Sequence, residues 1–307
     1  MKVYKDMNQL PEFNKAVLTI GSFDGVHVGH SQIISQLLEE AANIGGTPIL
    51  VTFDPHPKKI LQNISKPLYI LNTPEEKYNL LHQKGINNIV VVPFTKAFAG
   101  QPALQYIKDF LVDKFHPHSI IMGYDHRFGK NREGDYKLLE REAAKYHYLV
   151  KEIPEQVLQN VTVSSTKIRE ALLSGDIDKA KEFLGYPYFF SGKVVEGNKL
   201  GRTIGYPTAN IELTNNEKLI PANGVYAVKV DVQGIFCKGM MNIGVRPTVD
   251  GSKRVIEVNI FDFDKNIYRE TLTITLQKRL REEQKFNGLD ALKAQLAKDK
   301  IAALAIH

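Results

Sequence analysis

The chain has 307 residues, a length that predicts about two domains, each with its own buried core. Its hydrophobic fraction of 43% and charged fraction of 24% are ordinary for a globular protein, which excludes a disordered or low-complexity chain. The net charge of +6 is spread along the sequence rather than gathered in one tract, so it suits small anionic ligands as well as nucleic acid.

The cysteine and hydropathy patterns indicate a cytoplasmic protein. Cys237 is the single cysteine, so an internal disulfide is excluded, and we interpret it as a buried small apolar residue because no activating partner is near it in sequence. No apolar run approaches the ~18 residues of a membrane span, and the N-terminus lacks the apolar core of a signal peptide. We expect no membrane or nucleic-acid partner, and a homo-oligomer is compatible with the sequence.

In the first part of the chain, apolar strand-like runs alternate with helical patterns. The runs begin near Ala16, Thr47, Asn88, Ser119 and Tyr148. This rhythm predicts an α/β domain whose parallel sheet binds ligands at the carboxyl ends of its strands. Three loops follow such ends, at 21–30, 53–57 and 123–129, and we expect them to share one edge of the sheet.

After Leu184 the pattern changes to alternating strands. Gly185, Tyr186 and Pro187 resemble a linker, so we predict domains over residues 1–184 and 185–307. Strands are predicted over residues 189–195, 225–232, 235–243, 255–263 and 271–276. They predict a small antiparallel barrel or sandwich. A closing helix that packs on it is predicted from the apolar spacing of Leu289, Leu292, Leu296, Ile301 and Leu304.

The most informative motif is the glycine-rich turn at 21–30, which joins an apolar strand to a helix. Unpaired backbone N–H groups and the helix dipole attract phosphate there, and Gly21, Gly25 and Gly29 let a ligand approach the backbone closely. His27 and His30 share a face and can donate hydrogen bonds to phosphate oxygens. A helix-cap pair or half of a metal site is the alternative interpretation.

The pattern His27-x-Gly29-His30 resembles the signature of the nucleotidyltransferase superfamily. A second phosphate site is predicted at 164–169, Ser-Ser-Thr-Lys-Ile-Arg, where hydroxyls and cations open a helix. Plain N-capping with solvated Lys167 and Arg169 is the alternative. In that superfamily, however, the second phosphate clamp lies late in the domain on a loop-helix junction of this kind.

Four motifs in order resemble the bacterial bifunctional riboflavin kinase/FAD synthetase family: Gly-Ser-Phe-Asp-Gly-Val-His-x-Gly-His at 21–30, Phe-Asp-Pro-His-Pro at 53–57, Gly-x-Asp-x-Arg-Phe-Gly-Lys at 123–130 and Ser-Ser-Thr-x-Ile-Arg at 164–169. The resemblance implies a Rossmann-like FMN adenylyltransferase domain in which His27, His30 and Arg169 are catalytic. It implies ATP binding by Gly21, Phe23, Gly25, His27, His30, Ser165, Thr166 and Arg169. It implies FMN binding by Phe53, Asp54, His56, Asp125, Arg127 and Phe128. For His56, a structural hydrogen bond in its Pro-bounded loop is an equal alternative.

The second half carries motifs that resemble the riboflavin kinase of the same family. The glycine-rich turn at 197–205 could alone be an ordinary β-turn, but Thr208 and Asn210 follow it and offer two oxygen ligands for Mg²⁺ on one face of an extended segment. Glu257 shares a strand face with Asn259; the resemblance implies a catalytic base there, whereas the pattern alone fits a solvated residue equally well. The resemblance also implies ATP binding by Gly197, Lys199, Gly201 and Arg202, and flavin binding by Tyr206, Arg281 and Phe286.

The resemblance implies a bifunctional enzyme that uses ATP and Mg²⁺ to phosphorylate riboflavin to FMN, releasing ADP, and then adenylates FMN to FAD, releasing pyrophosphate. Three positions depart from the commonest family pattern: His126 replaces Phe, Asn259 replaces His and Arg269 replaces Gly. These departures concern the flavin pocket rather than the reaction type. The alternatives are a single-activity adenylyltransferase or kinase, and a flavin-sensing regulator with one decayed module.

Overall fold

The computed structural model describes residues 1–61, 68–153, 163–197, 200–248 and 251–306. Its contacts divide the chain into two compact units, residues 1–164 and 165–307. Each unit carries one of the two predicted architectures.

The first unit is built on a parallel sheet. Strands β1 to β6 cover Lys2–Tyr4, Ala16–Ile20, Thr47–Asp54, Asn88–Pro93, Pro117–Gly123 and Leu149–Ile153. Helices α1 to α7 cover Val28–Ile44, Pro57–Leu61, Pro74–Gln83, Lys96–Ala99, Ala103–Gln105, Asp113–Phe115 and Tyr136–Tyr146, with a π-helix over Tyr106–Val112. The strand order is β1-β4-β3-β2-β5-β6, and every pairing is parallel, which confirms the predicted sheet.

The sheet register brings the three predicted loops together. The central strand β2 is buried along its whole length and lies between β3 and β5. Ile20 stands opposite Val51, and Thr19 stands opposite Ile121, so the three strands end side by side. The prediction of a shared edge is confirmed. Strand β1 was not predicted because its three residues are too few to show a pattern.

The second unit begins with two helices and continues as a barrel. Helices α8 to α11 cover Ser165–Ser174, Ile177–Leu184, Leu200–Thr203 and Leu289–Ala305. Strands β7 to β12 cover Phe189–Val195, Ala209–Leu213, Gly224–Val232, Ile235–Thr248, Gly251–Ile260 and Thr271–Arg281. They close in the order β10-β11-β8-β7-β12-β9, with antiparallel pairings throughout. The predicted antiparallel barrel is confirmed, and the unpredicted strand β8 closes it between β7 and β11.

The two helices α8 and α9 associate with the barrel. The Ala222 amide donates a hydrogen bond to the Leu172 carbonyl over 2.9 Å. The Arg279 guanidinium lies against Gly175, where an added Cβ would be 2.8 Å from its Cζ. Gly185 ends α9 in the left-handed conformation, with φ 78°. The chain therefore divides by contacts before α8, and the predicted functional boundary at residue 184 stays a prediction.

The closing helix α11 packs on the barrel through only part of the predicted apolar stripe. Leu289, Ile301 and Leu304 are 54%, 70% and 39% exposed, so the predicted apolar stripe is wrong at these positions. Leu296 does pack against the barrel, and the buried positions are Asp299 and Ala303. A buried carboxylate is tolerated there because Arg281 pairs with it.

Candidate active sites

The glycine-rich turn of the first unit is a tight backbone structure. The Val26 amide donates to the Phe23 carbonyl over 3.1 Å, and Phe23 and Val26 adopt positive φ angles of 47° and 36°. Positive φ is rare for a β-branched residue, so the buried surroundings of Val26 must hold it. An added Cβ at Gly21 would lie 3.1 Å from the Phe23 ring, so this glycine makes room for that ring.

His27 and His30 form a stacked pair at the start of α1. Their ring centroids are 3.7 Å apart with an angle of 15° between the planes, and the Phe23 ring lies 4.9 Å from His30. His27 is the N-cap residue: its Nδ1 accepts a hydrogen bond from the His30 amide over 3.3 Å. The helix-cap alternative is thus observed, and it coexists with the predicted shared face. An added Cβ at Gly29 would lie 3.2 Å from the His27 ring.

Both imidazoles are uncharged near neutral pH. Burial lowers the pKa of His27 to about 4, against a smaller opposing effect of Asp24. Burial also lowers the pKa of His30, and electrostatic interactions with His27 and Lys77 lower it further. Because His27 Nδ1 accepts a hydrogen bond, the neutral ring carries its proton on Nε2 and can donate from that atom. Within the described residues, His30 Nδ1 is buried and has no hydrogen-bond partner.

The two other loops at this edge place the predicted flavin-binding residues in different environments. Phe53 is buried, with ring centroids 5.2 Å from Phe94 and 6.0 Å from Phe98. Phe128 is also buried and stacks on Tyr106 at 5.0 Å. The side chains of Asp54, Asp125 and Arg127 are exposed. At this edge of the sheet, the aromatic side chains are therefore buried and the charged side chains are exposed to solvent.

Two other predicted residues take part in local structure. His56 Nδ1 accepts from the Lys58 amide over 3.1 Å, which is the structural hydrogen bond given as its alternative. The departure His126 is half-buried beside Phe128, with ring centroids 6.3 Å apart. Burial lowers the pKa of His126 to about 4, so this ring is also uncharged near neutral pH.

Ser165, Thr166 and Arg169 lie on the first turns of α8, as predicted, and Ile168 on the same helix is buried. The structure assigns α8 to the second compact unit. The predicted binding of the ATP triphosphate by Ser165, Thr166 and Arg169 stays a prediction.

In the second unit, several of the predicted kinase residues line one cavity of about 240 Å³, whereas Gly197 and Asn210 are not in its lining. Its lining includes Gly201, Tyr206, Thr208, Glu257, Arg281 and Phe286, which sequence analysis predicted, together with Asn242, Asn259, Glu283 and Leu296. The barrel and α11 both contribute to the wall. Residues separated by up to 95 positions in sequence, from Gly201 to Leu296, therefore form a single pocket.

Barrel pairing explains why the polar groups of this cavity are close together. Glu257 stands directly opposite Asn210 in the β11–β8 ladder, and opposite residues of a ladder project to the same face. Gly197 packs against the Asn210 carboxamide so closely that an added Cβ would lie 2.0 Å from Nδ2. Asn259 Nδ2 donates to the Pro207 carbonyl over 2.6 Å. The departure at Asn259 thus anchors the Pro207-Thr208 segment.

A second cavity of about 310 Å³ lies next to the first. It is lined by Arg202, Pro207, Thr208, Phe263, Asp264, Lys265 and Tyr268, among others. Thr208 lines both cavities. Of the predicted ATP-binding residues, Arg202 lies here, whereas Lys199 falls outside the described residues. Lys265 and Asp264 were not predicted, because a polar loop gives no periodic signal.

Arg281 is held in the first cavity by the closing helix. Its Nε and Nη2 donate to both carboxylate oxygens of Asp299 over 2.8 to 3.1 Å, and Gln295 Nε2 donates to the same carboxylate over 2.9 Å. The guanidinium carbon lies 5.7 Å from the centroid of the Phe286 ring. Asp299 and Gln295 were missed in the sequence because their partner Arg281 is on a distant strand.

Comparison with known proteins matches this arrangement. The family model described as FAD synthetase matches residues 9–167, and the model described as riboflavin kinase matches residues 184–307. The chain belongs to the bifunctional riboflavin kinase/FMN adenylyltransferase family. A relative of that name from Bacillus subtilis is 38% identical over 295 residues, covering 94% of this chain and 92% of the relative. Its namesake from Listeria monocytogenes is 40% identical over 293 residues, covering 94% and 91%.

A solved structure has the same fold over nearly the whole chain. It is named a macrolide-efflux protein from Streptococcus pneumoniae, is 30% identical, covers 98% of both chains and has a TM-score of 0.88. Its name differs from those of the curated members of this family, whereas both family models agree with the latter. Among the helices in the described part of the chain, none is long and apolar enough to cross a membrane.

Proposed function

We propose the residues that carry the two activities of this bifunctional riboflavin kinase and FMN adenylyltransferase. Riboflavin is phosphorylated to FMN in the barrel cavity, and FMN is adenylylated to FAD at the glycine-rich turn of the first unit. Both reactions consume ATP. The observation that carries the kinase assignment is Thr208, which lines two adjoining cavities and so separates space for an acceptor from space for a nucleotide.

In the kinase site, riboflavin occupies the cavity that Tyr206, Glu257 and Phe286 line. ATP occupies the neighbouring cavity, where Arg202 and Lys265 supply positive charge. The 5′-hydroxyl oxygen of riboflavin attacks the γ-phosphorus of ATP, the bond to ADP breaks, and Glu257 accepts the hydroxyl proton. Positioning and electrostatic stabilisation supply most of the catalysis in this class of reaction.

Mg²⁺ fits the chemistry of the Thr208 and Asn210 side chains. Thr208 and Asn210 provide a hydroxyl and a carboxamide oxygen, and Gly197 leaves room for the Asn210 side chain. Hard oxygen donors of this kind suit an ion that keeps several waters and binds nucleotide phosphates. When bound, the ion would neutralise charge on those phosphates.

In the adenylyltransferase site, the phosphate of FMN attacks the α-phosphorus of ATP and pyrophosphate leaves. The stacked His27 and His30 donate hydrogen bonds to phosphate oxygens as charge grows there, and His27 does so from Nε2. The family motif at the start of α8 further assigns phosphate binding to Ser165, Thr166 and Arg169. Asp125 and Arg127, exposed at the same sheet edge, contact FMN.

Chromatographic separation of the flavins tests the whole proposal. The full chain is incubated with riboflavin, ATP and Mg²⁺, and separately with FMN, ATP and Mg²⁺. We expect FMN and FAD from the first mixture, and FAD with pyrophosphate from the second. Formation of FMN without FAD would indicate a single-activity kinase. Formation of FAD only in the mixture that starts from FMN would indicate a single-activity adenylyltransferase. Binding of flavin without any product would indicate a sensor.

A further inference from the structure

Lys77 is a buried lysine that no step above uses. It lies on α3, whose start is fixed by a capping box between Thr73 and Glu76. The side chain is only 9% exposed. Lysine is seldom buried unless its ammonium is paired, so the groups around it decide its role.

The Lys77 ammonium ties the glycine-rich turn to the sheet. Its Nζ donates to the Ser22 carbonyl over 3.3 Å and to Thr52 Oγ1 over 3.0 Å. Thr52 Oγ1 in turn donates to the same Ser22 carbonyl over 3.1 Å. These three groups close a triangle that joins α3, β3 and the turn. Ser22 directly precedes Phe23, whose ring borders His30.

The charges around Lys77 place a titration close to physiological pH. Burial lowers the pKa of Lys77 to about 8, while the carboxylates of Asp24 and Asp54 favour its charged form. Asp24 is itself fixed, because its Oδ1 accepts the amides of Leu71 and Asn72 over 2.9 and 3.3 Å. The Lys77 charge also lowers the pKa of His30, which is uncharged near neutral pH.

We propose that Lys77 is a positioning residue for FMN adenylylation. Its ammonium holds the Ser22 carbonyl, and through the turn it holds the Phe23 ring that supports His30. Its positive charge also acts on His30, whose pKa it lowers, and it favours binding of an anionic triphosphate at the histidine pair. This inference rests on the proposed role of the histidine pair.

The test compares Lys77→Met, Lys77→Arg and Lys84→Met in the full chain. Lys84 ends the same helix α3 and is half-buried, so its variant is the matched control. We expect Lys77→Met to lower kcat for FAD formation from FMN about 10- to 100-fold, because small misplacements of catalytic groups have effects of that size. FMN formation from riboflavin should be unchanged in all three variants. A folded Lys77→Met protein with wild-type kcat for FAD formation overturns the proposal.

A pH profile keeps the proposal testable if Lys77→Met fails to fold. The ammonium is charged below its pKa, so the wild-type rate of FAD formation should fall as pH rises through about 8. Lys77→Arg stays charged and should hold its rate to higher pH. A wild-type rate that does not fall between pH 7 and 9, or a fall unchanged in Lys77→Arg, overturns the proposal. If wild type makes FAD and His30→Ala suppresses it, the site assignment stands even where Lys77 fails its test.

Discussion

Glu257 is one of two carboxylates in the kinase cavity, and its neighbours distinguish it from the other. It stands opposite Asn210, next to the segment that carries Thr208. Glu283 also lines the cavity, whereas the side chain of Glu282 is 87% exposed. Glu283 is therefore the alternative base that the geometry permits, and Glu282 is not.

Glu257→Gln should abolish most of the kinase activity while leaving riboflavin binding intact. The carboxamide keeps the shape of the side chain but cannot accept the 5′-hydroxyl proton. We expect turnover to fall about 10²- to 10⁴-fold, the usual size of a general base effect. Steady-state rates and riboflavin affinity measured on the same protein separate the two quantities, and FAD formation from supplied FMN should be unchanged.

Thr208→Ala serves as the comparison for Glu257→Gln. Loss of a metal ligand should raise the Mg²⁺ and ATP requirement as well as slow the reaction. If Glu257→Gln kept near-normal turnover, its carboxylate would be structural, and Glu283→Gln would be the next variant to assay.

His30→Ala should suppress FAD formation and leave FMN formation nearly intact, because His30 lies in the first unit and the kinase cavity lies in the second. Loss of one transition-state contact to phosphate is worth about 2.7 to 4 kcal/mol, or 10²- to 10³-fold in rate. Both activities are measured on one preparation whose fold is checked by circular dichroism. An equal loss of both in a folded variant would contradict the assignment.

Residues that belong to a recognisable motif could be predicted from the sequence, whereas residues that act through partners far away in sequence could not. The strand-turn-helix pattern predicted His27 and His30. Lys77 escaped notice because its partners Thr52 and Ser22 are 25 and 55 residues away. Arg269 has φ 70°, which explains in physical terms why glycine is common at this position in the family.

At the scale of elements, the closing helix shows where apolar spacing misleads. Its exposed Leu289 and Ile301 belong to the predicted stripe, while the buried Asp299 does not. The rotation of the helix is set by Leu296 and Ala303 packing on the barrel and by the pairing of Asp299 with Arg281. No single-element pattern contains that ion pair, because it links a helix to a strand.

Asp299→Asn should weaken riboflavin binding although Asp299 is not among the residues that line the cavity. The variant leaves Arg281 without its carboxylate partner, and breaking a buried pair on one side costs about 3 kcal/mol of stability. We expect a lower melting temperature and a riboflavin KM raised more than kcat is lowered. Asp290→Asn, an exposed change on the same helix, is the control. An unchanged KM in folded Asp299→Asn would show that Arg281 does not need this support.

At the scale of the whole molecule, three boundaries lie near one another without coinciding. The contacts divide the chain at 164/165, the first family model ends at residue 167 and the second begins at residue 184. The sequence pattern changes only at residue 184, because the helices α8 and α9 continue the alternation of strands and helices seen in the first half. The contacts place the boundary earlier, because these two helices contact the barrel through Leu172 and Gly175.

Two fragments distinguish these boundaries. We expect residues 187–307 to fold alone and phosphorylate riboflavin, because Thr208, Asn210 and Glu257 all lie within them. Residues 165–307 should be more stable, since they also retain Leu172, Ile177 and Leu184, which are buried. Burial of each such side chain stabilises the folded state by about 1.5 to 3 kcal/mol.

Thermal unfolding followed by circular dichroism should give the longer fragment the higher melting temperature, and kinase assays should show activity in both fragments. Equal melting temperatures would show that α8 and α9 add nothing to the barrel. A folded but inactive 165–307 fragment would mean that the kinase site needs residues of the first unit.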